Sequence, residues 1–119
     1  MKILSRLNIV ADKEKKPNPF KVGDILSCVW GYSMTIVDFY RVVKVLPSSV
    51  KIEKLQPKRV SGDSFGGTCV PTDKAIKSGV DGKTYRVLFT GDGEPCLKIE
   101  SYAYARPWDG LPKMFDHMD

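Results

Sequence analysis

Apolar and polar positions alternate most clearly over residues 20–55, FKVGDILSCVWGYSMTIVDFYRVVKVLPSSVKIEKL. A period of two is the mark of a strand with one covered face. Val22-Gly23-Asp24 reads as a turn entering a strand over residues 25–30. A longer strand over residues 37–46 then meets one over 50–55 across Pro47-Ser48-Ser49. Both partners of a pair must put apolar residues on the same side. Setting Val45 opposite Val50 also sets Val43 opposite Ile52 and Lys44 opposite Lys51. A slip of one residue would put Lys44 against Ile52 and mix the faces. The expected hairpin therefore holds Val43, Val45, Val50 and Ile52 inward and Lys44 and Lys51 outward. Pro47 takes the second position of the turn, where its fixed φ suits type I. The two lysines are like charges directly opposite, a cost that Glu53, diagonal to Lys44, offsets in part.

Beyond Leu55 the alternation weakens. Residues 56–67 contain Pro57, Gly62, Gly66 and Gly67 among polar positions and predict a long loop. A short strand over 68–70 follows, then a brief helix over 72–79, capped by Thr72 or Asp73 and ended by Gly79. Asp81-Gly82 turns the chain into a second hairpin. Pairing Phe89 with Leu97 and Val87 with Ile99 builds one apolar face and sets Arg86 against Glu100. Residues 102–107 continue extended, 108–112 turn, and 113–119 read as a tail. Five or six short strands, at most one short helix and Gly/Pro-rich turns predict a mainly β fold, a small, strongly curved antiparallel barrel.

The expected organisation is an N-terminal segment with a basic linker (residues 1–19), one barrel domain (20–112) and the tail (113–119). The opening MKILSRLNIVA suits either an edge strand or a turn or two of helix, and the linker DKEKKPNP is charged and broken by proline. The length allows one domain with a core of its own. Neither a signal peptide nor a membrane span is expected. Cys28, Cys69 and Cys96 are odd in number and far apart, without a CxxC spacing. That predicts three reduced, packed thiols in a cytoplasmic protein, with no metal and no cofactor.

The net charge is +5, and its distribution matters more than its sum. Residues 41–60 carry Arg41, Lys44, Lys51, Lys54, Lys58 and Arg59 against Glu53 alone, and residues 1–21 carry six basic side chains against two acids. Such patches concentrate anionic partners, most often nucleic acid, although a Lys-rich outer strand also protects against aggregation.

The run GDIL, DFYRVVKVL, SVKIEKL resembles the Src-homology-3-like small barrels, including the KOW and Tudor types. That resemblance implies the barrel fold and partners drawn from nucleic acid, ribosomal components or peptides. The whole chain also resembles a family of small bacterial and phage proteins through Trp30-Gly31-Tyr32, Thr35, Asp38-Phe39-Tyr40, Tyr104 and Trp108-Asp109-Gly110-Leu111-Pro112. Ser33, Met34 and Ile36 depart from the polar residues usual there, against a shared polar ligand site in that loop. A phage source implies an inhibitor or accessory factor acting on a host or defence protein.

Among the aromatics, Trp30 and Phe39 are expected in the core. Tyr32, Tyr40 and Trp108 divide between plugging the barrel end and presenting rings beside the cations, where unstacked bases lie on them. Catalysis finds little support. His117, the only histidine, is the third residue from the end of the sequence, and Asp38 and Asp109 sit in turn contexts where carboxylates accept local hydrogen bonds. Gly91-Asp92-Gly93 lacks the Lys-Ser/Thr of a phosphate loop. The expectation is a non-catalytic module that holds nucleic-acid backbone through Arg41, Lys44, Lys51, Lys54, Lys58 and Arg59, with Tyr40, Tyr32 and Trp108 in support. The competing expectation is the protein-binding inhibitor.

Overall fold

The computed structural model describes residues 18–31, 35–63 and 66–116. They form nine antiparallel strands: β1 (Ile25–Trp30), β2 (Ile36–Val45), β3 (Ser49–Asp63), β4 (Gly66–Ile76), β5 (Thr84–Arg86), β6 (Leu88–Phe89), β7 (Pro95–Glu100), β8 (Ala103–Pro107) and β9 (Lys113–Asp116). The spatial order is β9-β4-β3-β2-β1-β8-β7-β6, and β5 pairs separately with β3. The fold is mainly β, as the alternation predicts. The expected small, strongly curved barrel is a single antiparallel sheet that curves without closing: β5 and β7 approach each other without pairing.

Curvature starts at one extra residue. Val45 faces Val50 and Lys44 faces Lys51, as the alternation requires, but Ile52 faces Val42 and not Val43. Val43 is the unmatched residue of a β-bulge, which bends the strand and shifts its side chains by one position. Upstream of it Tyr40 and Val42 face inward, while Val37, Phe39 and Arg41 face outward. Val43 and Val45, expected inside, are exposed, whereas Val42, Val50 and Ile52 are buried.

Both sheet faces are consequently covered over β2. The concave face gathers Phe20, Leu26, Cys28, Tyr40, Val42, Val50, Ile52, Val87 and Leu97. The convex face carries a smaller cluster of Val37, Phe39, Leu55 and Cys69, against which Ile25, Trp108 and Phe115 pack.

Further corrections follow from pairing. The expected loop over residues 56–67 is the far half of a long β3–β4 hairpin. Pro57 faces Pro71 beside a bulge, a position where neither missing donor costs a regular ladder bond. Gly62 faces Gly67 so closely that a Cβ on either would run into the opposite backbone. Glycine there permits the strands to meet rather than breaking them. The expected helix over 72–79 is replaced by the end of β4, where Ala75 pairs with Leu55 and Ile76 with Lys54. A helix of two turns gains little against such pairing. The predicted tail contains β9, whose Lys113 and Phe115 pair with Cys69 and Gly67.

In the second hairpin Phe89 meets Pro95, two residues from the expected register. Thr90 sets this tighter closure: its N–H donates to the Glu94 carbonyl (2.9 Å), its carbonyl accepts from Gly93 N–H (2.9 Å), and its Oγ1 accepts from Glu94 N–H. Residues 84–86 leave the hairpin to pair with β3, so Arg86 faces Ser49 and not Glu100.

Candidate functional site

Across an antiparallel pair, opposite residues point to the same face. Lys44 lies opposite Lys51, Lys51 opposite Thr84, and Ser49 opposite Arg86. Ser49 and Lys51 are two apart on β3, so Lys44, Lys51 and Arg86 share the convex face at one end of the sheet. Among the described residues no salt bridge engages any of the three. One step inward on that face the balance differs. Arg41 faces Glu53 and binds it through Nε (2.7 Å) and NH2 (2.6 Å), with Asp73 at 3.7 Å.

A groove of about 840 Å³ opens beside this end. Its apolar lining is Val87, Leu88, Phe89, Cys96 and Tyr104, and Arg86 and Arg106 bring charge to it. Most of its polar groups are already spent on the fold. The Asn18 amide donates to the carbonyls of Leu46 (2.8 Å) and Ser49 (3.1 Å), and its Oδ1 accepts from Phe20 N–H. The Ser48 carbonyl accepts from Val87 N–H (2.9 Å), and Thr90 closes its own turn. Asn18, next to the last residue of the expected linker, is thus anchored to the β2–β3 turn. Arg106 meets Glu94 only at 3.5 Å, with both side chains about half exposed, a contact of small worth. Burial pushes the Cys96 thiol up from its ordinary value, so it offers no thiolate at neutral pH.

The remaining sequence candidates are dispersed by strand alternation. Lys54 shares the concave face with Val50 and Ile52 and reaches Asp38 at 3.3 Å, away from Lys51. Lys58 and Arg59 are neighbours on the outer half of β3 and point to opposite sides, Arg59 lying 5.4 Å from the Phe115 ring centre. Tyr40, expected as the stacking ring, is only 4% exposed in the concave core. Burial first, and then the Asp38 charge, raise its hydroxyl pKa. Its place follows from the bulge, upstream of which the even-numbered side chains of β2 face inward. Trp108 is a cover on the convex cluster, 6.0 Å edge-on to Phe39, with Nε1 donating to the Leu111 carbonyl at 2.7 Å. Tyr32 and His117 lie outside the described residues.

The carboxylates fill local roles. Asp38 accepts from Trp30 Nε1 at 2.8 Å as well as pairing with Lys54. Asp109 accepts from Lys113 Nζ (2.8 Å) and Leu111 N–H (3.0 Å), and the Lys113 bond holds its carboxyl below the usual range. The three cysteines are free and buried. Among the described residues no group of three or more His, Cys, Asp or Glu is placed to hold a metal ion, and no helix is long and apolar enough to cross a membrane.

Two groove residues, Arg86 and Tyr104, were not marked as a site by the sequence. Arg86 was assigned to Glu100 by a register that closed the second hairpin too loosely. Tyr104 stands opposite Lys98 on the exposed side of β8, a position that alternation from the buried Ala103 and Ala105 reveals.

Comparison with known proteins yields no match: no family model fits the chain, and no curated protein or solved structure is significantly similar to it.

Proposed function

We propose that this protein is a non-catalytic binding module that holds the phosphate backbone of nucleic acid on the convex face formed by Lys44, Lys51 and Arg86. The observation that carries this reading is the register of β2, β3 and β5, which brings onto one face three cations that no acidic side chain among the described residues engages. Surface lysines are ordinary; their convergence beside a groove that holds a further arginine is less so. Clustered cations attract a polyanion at long range and release its counterions on contact. Arg41 and Lys54 are outside this surface because each is already neutralised.

The test is fluorescence anisotropy with a labelled oligonucleotide at two salt concentrations. Binding should weaken steeply with salt. Lys44→Glu combined with Lys51→Glu should lower affinity at least tenfold and flatten the log–log salt slope by about 2, because each phosphate contact contributes close to 0.9. Both side chains lie outside the core, so the double variant should retain its fold by circular dichroism. No binding by the parent at low salt, or unchanged binding by the variant, would shift the reading to the host-protein partner.

A further inference from the structure

We infer that the groove beside the cationic face is a slot for unstacked bases, making the partner a single strand rather than a duplex. This rests on the reading of the convex face as a nucleic-acid surface and assigns the part of the ligand that leaves that face.

Three observations converge on it. First, the groove is continuous with the phosphate surface: Arg86 belongs to both, and Arg106 of β8, loosely paired with Glu94 at 3.5 Å, also lines it. Two arginines in the lining suit a ligand that is anionic along its length. Second, the space between them is bounded by flat and apolar side chains. Tyr104 is 41% exposed and keeps ring surface at the groove while anchored in a paired strand. Rings on which bases stack are worth about 1–3 kcal/mol per base in such sites. Third, several groove groups that could read a base edge are committed to the fold: the Asn18 amide to Leu46, Ser49 and Phe20, the Ser48 carbonyl to Val87, and the Thr90 hydroxyl oxygen, which accepts from Glu94 N–H. A slot whose amide is committed and whose remaining groups are mainly rings and arginines favours stacking and charge over reading of particular bases. A duplex keeps its bases stacked inward and presents none to such a slot.

The size agrees with this assignment. A groove of about 840 Å³ falls within the 300–1,000 Å³ typical of ligand sites. Its Asn18 and Ser48 wall is tied by hydrogen bonds to the β2–β3 turn, so the slot exists before the ligand arrives.

Anisotropy titrations of the full chain against a single-stranded 12-mer and its blunt duplex decide the matter. The parent should bind the single strand at least tenfold more tightly. Tyr104→Ala should lower single-strand affinity about fivefold to 150-fold, the range equivalent to one lost stack. Its effect on duplex binding should stay within twofold, and Tyr104→Phe should restore single-strand affinity. Exchanging poly-dT for mixed sequence should change affinity by less than about threefold. Tyr104 is exposed, so the alanine variant is expected to fold; Arg106→Gln provides a second variant, with a loss confined to the single strand. Equal parent affinity for both forms, or equal losses on both in Tyr104→Ala, would overturn the slot while leaving the cationic face in place. Binding to neither form at low salt would overturn both readings together.

Discussion

The two halves of β3 have similar charge and opposite fates. From Ser49 to Leu55 the strand is paired on both sides, with Val50, Ile52 and Leu55 buried in two different clusters. From Gln56 to Gly62 every residue is exposed, and Val60 leaves 49% of its surface in water. The inner half turns lysines into a surface because neighbouring strands fix which face each one takes. The outer half has Lys58 and Arg59 as adjacent residues, which a strand sends to opposite sides. Positive charge along a sequence becomes a site only where pairing aligns it.

Truncating the inner body should have the largest effect. Phe39 is fully buried and supports the Trp108 ring, so Phe39→Ala should cost about 3–5 kcal/mol in urea unfolding. It should also release Trp108 into water, seen as a red shift of its fluorescence. Full retention of stability would mean that the convex cluster is not a second core.

The arm has one demanding position. Gly62 holds φ at +129° and meets Gly67 without room for a Cβ. Gly62→Ala should therefore cost about 1–3 kcal/mol through backbone strain. The loss should appear as faster amide exchange in β3 beyond Gln56 and in β4 up to Val70, with the inner half unchanged. Uniform acceleration would show that arm and body unfold as one unit.

Alkaline pH should separate the halves as well. Burial first, and then the charge of Asp38, push the Cys28 thiol up from its ordinary 9.0 to about 12. A raised folded pKa means the folded state resists losing that proton. Stability is thus undiminished below pH 9 and falls between pH 9 and about 12. Cys28→Ala should remove part of that fall, measured as the urea midpoint against pH. Tyr40, whose burial shifts its hydroxyl in the same direction, should account for a further part at higher pH. An unchanged pH profile in Cys28→Ala would place the alkaline sensitivity elsewhere.

Legibility in the sequence also divides along β3. Val45 opposite Val50 and Lys44 opposite Lys51 were readable because two apolar residues and a turn proline admit few registers. The bulge at Val43 was not, since Val42 and Val43 are the same residue and either can be the extra one. That ambiguity misplaced Tyr40, the proposed stacking ring. The separation of Lys51 from Lys54 was legible, because residues three apart in a strand face opposite ways. The outer half was hidden by its composition: Gly62, Gly66 and Gly67 read as loop when considered locally, and only the cross-strand approach explains them. Arg86 was lost because a five-residue loop and a seven-residue loop fit the same apolar pattern, and the Thr90 bonds choose between them.

The smallest expected effect lies on the arm itself and sharpens the contrast most directly. Lys58→Glu with Arg59→Glu makes the same formal charge change as Lys44→Glu with Lys51→Glu. If total charge governed binding, the two double variants would weaken an oligonucleotide equally. Pairing predicts otherwise, since Lys58 and Arg59 point to opposite sides and Arg59 lies against the Phe115 ring. At most one of them can join a backbone lying on either face. The arm variant should lower affinity no more than about threefold at 0.15 M salt, where charges beyond about 8 Å are screened. Its salt slope should change by less than about 1, against about 2 for the inner pair. Parallel titrations of both variants supply the measurement. Equal losses would show that the protein attracts its partner by net charge alone, and that the register of β2, β3 and β5 selects nothing.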